Sequence, residues 1–290
     1  LGCSEGKLYR ADDADLTKPW AELSNPLQAD PRLLHASQAG SLFISRDLHP
    51  TWRSTDGGQT WAVCLDSPVW RMDEDELGNL YAGNYIKDDQ HVAMLYKSTD
   101  GGATWSEIYR NSGNHHIHTV RWDNRAKRLY IAFGDGRGRG QAYSDDRGQS
   151  FTILAAGPGE GHTDVTFTAD FVIWASDDQS GRIFRVGRQD GDVQAFAGSP
   201  QFMWFAVSDA EQVYVGTTNN AGGQRAALLA SADQGATWQN LLQSDLSQAA
   251  YDQAFFSESR QLSTGKWLYF TGASKSWRVR RSEPLIRNTR

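Results

Sequence analysis

"RSTDGGQTW" occupies residues 53–61 and "KSTDGGATW" occupies residues 97–105. Two nearly identical stretches 44 residues apart indicate a repeat, because periods of 20 to 50 residues mark one supersecondary unit per copy. Each copy has a physical logic. An apolar or aromatic lead (Met94, Leu95 and Tyr96 in the second) runs into Ser-x-Asp-x-Gly, then Thr-Trp and a further short strand. Ser and Asp side chains bond to the turn backbone, and Gly supplies positive φ. Asp56 and Asp100 are therefore expected to be structural, with the Trp packed under the turn.

The series continues with "YSDDRGQSF" around Asp146 and "ASADQGATW" around Asp233. Degenerate copies stand around Asp12 ("YRADDADLTKPW") and Asp190 ("FRVGRQDGDVQAF"). The segments between boxes parse as short strands, 69–73, 79–84, 92–98 and 105–109 in one unit. Four antiparallel strands per 44 residues is the arithmetic of a β-propeller blade. First strands fall near His35, Trp70, His118, Asp164, Phe205 and Ala254. The expected fold is all-β, a six-bladed β-propeller. Seven blades are the alternative if the terminal fragments form separate, incomplete blades. One domain over 1–290 is expected, with strands of 1–24 shared with 250–283 to close the ring and leave no open edge.

Composition agrees. Only 22% of the 290 residues are charged, whereas 11 Trp, 10 Tyr, 12 Phe and 28 Gly suit aromatic strands and many turns. A net charge of −6 argues against nucleic acid as a partner, and the basic "WRVRRSEPLIRNTR" at the end reads as solvated. No apolar run approaches the ~20 residues of a transmembrane helix. Cys3 and Cys64 are too few for a disulfide scaffold and are not spaced as a metal knuckle. "LGC" at 1–3 is similar to a bacterial lipoprotein processing site, so an extracytoplasmic location (secreted, periplasmic or surface-anchored) is expected.

"STDGGQTW", "STDGGATW", "SDDRGQSF" and "SADQGATW" resemble the Asp-box (BNR) repeats of the sialidase superfamily. The resemblance implies a propeller for nearly the whole chain. It does not imply one activity, because Asp-box propellers include sialidases, xyloglucan hydrolases, polysaccharide lyases, receptor ectodomains and photosystem assembly factors. "HIHTVRWDNRAKRLYIAFGDG" at 116–136 also resembles bacterial exo-sialidase-like proteins. Of the sialidase machinery, the Arg-Ile-Pro is absent. Arg71 and Arg121 are the arginines nearest first strands, and Tyr251 stands near the place of the nucleophilic Tyr. True sialidase chemistry is not expected.

Because the boxes join strands three and four, the loops entering strand one and joining strands two and three belong to the opposite face. His35, His115, His116, His118 and His162 fall at or just before first strands. His116 and His118, two apart, point to one side of a strand. With His162 they are the predicted ligands of a divalent metal in the channel, with His35 and Gln253 as further donors. The expected substrate is a complex or acidic glycan, lined by His35, Trp70, Tyr85, Trp204 and Arg121. A glycoside hydrolase would draw two carboxyl groups from Asp73, Asp135, Asp164 and Asp177. A polysaccharide lyase would use His118 or Tyr251 as base, with Arg71 or the metal holding the developing charge. The competing reading is a non-catalytic propeller binding glycan or protein through the same face, with an assembly factor as a third class. "GDGRGRG" at 134–140 opens no helix and carries no phosphate-loop reading.

Overall fold

A computed structural model of the chain describes residues 1–11, 18–86, 92–136, 140–154, 161–176, 181–197, 203–208, 212–217, 227–243, 257–261, 267–271 and 276–280. Among these there is no helix, and hence none long and apolar enough to cross a membrane. The chain divides into two compact units, Leu1–Gly159 and Glu160–Arg290.

In the first unit, β1 (Gly2–Ser4), β2 (Lys7–Arg10) and β3 (Ala21–Leu23) form a three-stranded antiparallel sheet. Three four-stranded antiparallel sheets follow in chain order. The first holds β4 (Leu33–Ala36), β5 (Leu42–Ser45), β6 (Thr51–Ser54) and β7 (Ala62–Leu65). The second holds β8 (Val69–Glu74), β9 (Leu80–Asn84), β10 (Ala93–Ser98) and β11 (Ser106–Asn111). The third holds β12 (Asn114–Asp123), β13 (Arg128–Gly136), β14 (Gly140–Ser144) and β15 (Thr152–Leu154).

The second unit repeats the pattern. One four-stranded sheet holds β16 (His162–Phe167), β17 (Phe171–Ser176), β18 (Arg182–Gly187) and β19 (Val193–Ala197). The next holds β20 (Met203–Ser208), β21 (Val213–Thr217), β22 (Ala227–Ser231) and β23 (Gln239–Gln243). A three-stranded sheet of β24 (Ser257–Gln261), β25 (Trp267–Thr271) and β26 (Ser276–Arg280) ends the series. Five full blades are thus present as read from the sequence. The described strands at the two ends form separate three-stranded sheets, β1–β3 in the first unit and β24–β26 in the second.

Second strands are buried on both faces, as in Leu42–Ser45, Leu80–Asn84 and Val213–Thr217. A strand covered on both sides reads as a continuous apolar run. Fourth strands such as Ala62–Leu65 and Thr152–Leu154 are exposed or half-exposed and short, which limits pairing with other chains. Apolar clusters fill the spaces between neighbouring sheets. Tyr81 and Leu95 of one blade meet Ile117, Val120 and Phe133 of the next, and Ile173 and Ile183 meet Met203 and Val215 in the second unit.

All four boxes close alike. The Ser98 hydroxyl donates to Asp100 (2.8 Å) and accepts from the Gly102 amide (2.8 Å), while Asp100 accepts from the amides of Ala103 and Thr104 and from the Thr104 hydroxyl (2.6 Å). The rings around Asp56, Asp146 and Asp233 repeat this pattern. These bonds hold the carboxylates well below the usual range. For Asp100 the Thr104 hydroxyl contributes most, then its amide, then Ser98. Burial pushes Asp233 upward but is outweighed by Thr237 and Ser231, which leave it at about 2.

The box aromatics differ from expectation. Trp61 reaches the preceding blade, its indole N–H donating to Ser24 O (3.0 Å). Trp105 meets Phe43 edge-on, and Phe151 packs on Tyr109. Only Trp238 bonds within its own turn, to Gly235 O. The box is therefore a joint between blades as well as the closure of one hairpin.

Candidate functional site

Four first strands share one irregularity. In the pairing of β8 with β9, Val69 faces Asn84 and Arg71 faces Gly83, so Trp70 is an extra residue. The same one-residue bulge singles out His118 in β12, Thr163 in β16 and Trp204 in β20. Bulges re-aim side chains and break the alternation of a strand. Strict alternation had put His116 and His118 on one side. His118 is itself the extra residue, and its ring is in direct contact with that of His116.

In the first unit this produces a buried cluster of aromatic and imidazole rings. His116 Nε2 lies 2.9 Å from His118 Nε2, and His116 Nδ1 lies 3.1 Å from the carbonyl oxygen of Ile86. A carbonyl only accepts, so His116 Nδ1 carries a proton. Between the two Nε2 atoms one ring donates and the other accepts. Tyr85 packs on His116 with ring centroids 4.3 Å apart and on Trp70 at the same distance. Trp70 meets His118 edge-on at 5.6 Å, and the Arg71 guanidinium lies over the Trp70 ring at 4.8 Å. None of these five side chains is more than 5% exposed. Opposite His116 in the ladder stands Gly134, where a Cβ would fall 2.4 Å from His116 Nε2 and 2.1 Å from His118 Nε2. Glycine is required there.

The other expected residues are placed as follows. His35 is buried and packs beside Phe43. Arg121 and Trp204 are half-buried. His162 is buried in the second unit against Trp174 and Phe184. Asp164 is fully buried, its carboxylate accepting from the Val165 amide (3.0 Å) and from the Ala206 amide of the next blade (3.1 Å). Asp73 likewise accepts from the Trp122 amide across a blade boundary (2.8 Å) and from Glu74 (2.9 Å). Both carboxylates join blades. Tyr251, Gln253 and Asp177 lie outside the described residues, as does the side chain of Asp135. Among the described residues no three His, Cys, Asp or Glu side chains are grouped to hold a metal ion. Burial pushes the thiols of Cys3 and Cys64 up to about 11, so neither offers a thiolate at neutral pH.

Two features escape sequence reading. The first is Leu48, 84% exposed at φ 63° in the turn between β5 and β6. Its turn is braced on both sides. Arg46 donates to Asp30 O, Arg32 pairs with Asp47 at 2.9 Å, and the His49 amide closes on Arg46 O. A bulky apolar residue held out in the left-handed region is uncommon. The second is Glu74, which accepts from the Gln38 amide (2.7 Å) and whose carboxyl is pushed up by burial and then by Asp73 and Asp75.

A family model for the BNR/Asp-box repeat matches residues 96–107, the second box. No curated protein matches the chain. Among solved structures, YCF48 bound to a D1 peptide is similar with a TM-score of 0.61 and 14% identity, over 89% of this chain and 80% of that one. A chain of a nidogen/laminin complex gives 0.56 and 13%, over 77% and 83%. The tricorn protease gives 0.61 and 10%, over 96% of this chain and 32% of that one. At such identities the likeness concerns the fold. With four chemically equivalent boxes and sheets of antiparallel strands in chain order, the chain is an Asp-box β-propeller.

Proposed function

We propose that this propeller is a non-catalytic binding protein and that its ligand is a segment of another protein. One observation carries the reading. The side chains with most chemistry in them (Arg71, His116, His118 and Asp164) are packed inside the blades, and the carboxylates of Asp73 and Asp164 are spent on backbone amides of the next blade. General acid–base work on a glycan needs carboxyl groups facing the substrate. Sugar stacking needs exposed ring faces, and those of Trp70 and Tyr85 are covered. What the first unit does present is a braced turn with Leu48 at its tip, an apolar anchor of the type that fills a partner's pocket. Two structures of similar fold are described as complexes, one with a peptide and one between proteins. Those descriptions belong to the other proteins and lend support as analogy.

The test is a displayed random-peptide library panned on the whole chain, beside sialosides, uronate polymers and neutral glycans assayed for binding and turnover. Peptides that bind the wild type and bind Leu48→Asp at least about tenfold more weakly are expected, with no glycan turnover. Turnover of any glycan that His118→Ala abolishes in a folded protein would overturn the proposal in favour of the glycosidase or lyase reading.

A further inference from the structure

We infer that Asp190 is a site of covalent self-modification, at which the link to Gly191 passes through a cyclic imide to an isoaspartyl bond. The chain contains four Asp–Gly steps, at Asp56, Asp100, Asp135 and Asp190. The side chain of Asp135 lies outside the described residues, so the comparison is between Asp190 and the two boxes. Asp56 and Asp100 each accept from a Ser hydroxyl, from the two amides that open the next strand, and from a Thr hydroxyl. These bonds, the Thr hydroxyl first, keep both carboxylates well below the usual range. They also occupy each carboxylate with groups other than the amide that follows it. Imide formation needs the opposite, a carboxyl group that can be protonated and can turn to its own next amide.

Asp190 keeps the spacing of a box without its hydroxyls. Arg188 stands where the box has Ser, and Gln194 stands where it has Thr. Gln194 bonds instead to Asp192 (3.2 Å) and to Arg185 (3.2 Å). The Asp190 carboxylate accepts from the Asp192 amide (3.0 Å), in an exposed turn between β18 and β19. Gly191 stands at φ 70° with nothing within 4 Å of the place of a Cβ, so the turn has room to close the ring. Its amide donates to Gly187 O (3.1 Å), a bond that local opening of the turn has to break first. The Gly191 nitrogen then attacks Cγ of the protonated Asp190 carboxyl. A C–N bond forms, a C–O bond breaks, and the amide and hydroxyl protons leave with the oxygen as water. Water next adds to the imide, and opening at the former peptide carbonyl leaves the chain running through Cβ and Cγ. Nothing is oxidised or reduced.

The experiment ages the whole chain at mildly acidic pH and physiological temperature, folded and, in parallel, unfolded in urea. Trypsin then places Asp56, Asp100 and Asp190 in different peptides, and electron-transfer fragmentation tells isoaspartate from aspartate. In the folded chain Asp190 is expected to convert at least about tenfold faster than Asp56 and Asp100. In urea the three should convert at similar rates. Gly191→Ala, whose side chain the turn can take but which hinders attack, should slow Asp190 at least about tenfold. Thr104→Val, which removes one donor, should speed conversion of Asp100 in the folded chain. Melting curves establish folding; if Thr104→Val does not fold, Ser98→Ala carries the same comparison. A folded chain in which Asp190 converts no faster than the box aspartates overturns the inference. So does a preference for Asp190 that persists undiminished in urea, because the neighbouring sequence would then be its cause. Neither outcome touches the peptide-binding proposal, which rests on Leu48 and on the buried carboxylates.

Discussion

The Asp boxes and the first-strand bulges both repeat from blade to blade, yet they repeat different things. The boxes repeat residues: Ser, Asp, Gly and a hydroxyl recur, and each ring of bonds closes on itself within seven residues. The bulges repeat only a backbone device, and the residue placed on it changes from Trp70 to His118, Thr163 and Trp204. A local network that satisfies itself tolerates little change, so its sequence stays recognisable. A bulge specifies a direction and leaves the side chain open, so blades can differ there. The first device closes each blade's outer hairpin, and the second gives each blade its own character.

The largest effect that would sharpen this contrast is expected at Gly102. At φ 86° its Cβ would lie 2.4 Å from Cζ of the fully buried Phe43 in the neighbouring blade. Gly102→Ala therefore combines left-handed strain with overpacking and should cost about 3 kcal/mol, read from urea unfolding. A cost near zero would mean that the box is not a joint between blades.

Next is Asp164→Ala, which removes the acceptor of the buried Val165 and Ala206 amides and should cost about 2 kcal/mol. An unchanged unfolding midpoint would return Asp164 to the list of functional carboxylates.

A smaller effect is expected within the boxes, at the left-handed position that follows the Asp. Gly57 and Gly101 fill it in two boxes, Arg147 and Gln234 in the others, all at positive φ. Where the box has Gly, a neighbour's cation comes in, Arg10 beside Gly57 and Arg53 beside Gly101. Where it has a side chain, that chain reaches out: Arg147 to Glu76 (2.8 Å) and to the fully buried Asp75 (3.4 Å), and Gln234 to Asp170. Arg147→Gly relieves strain but leaves Asp75 without its cation, for a net loss of about 1 kcal/mol. Stabilisation instead would show the strain to be the larger part.

The smallest effect at neutral pH, and the clearest in acid, concerns charge. The box carboxylates have folded pKa values below the unfolded one, so their stabilisation is complete above about pH 4 and is lost as pH falls through the folded values toward about pH 2. Asp100→Asn should flatten that part of the stability curve while leaving ligand binding in the folded fraction unchanged. Loss of binding with an unaltered acid profile would make the box a recognition element.

The fold was legible because its signal is local and periodic. The boxes, the 44-residue spacing and the unbroken apolar second strands are set by turn chemistry and by burial on two faces. The candidate site was legible as a set of residues, and His116, His118, Trp70, Tyr85 and Arg71 do meet. Its character was not. Alternation along a strand predicts which side a residue faces, but a bulge changes that and leaves no residue signature. Nor does a sequence show that Asp73 and Asp164 bond to amides of the next blade's first strand, since those partners are 49 and 42 residues distant. The sequence by itself determined the blades and the turns that close them, because those depend on neighbours in the chain. Only the tertiary structure decided that the carboxylates and rings of the first strands are buried as joints and a cluster, because burial depends on what the adjacent blade brings.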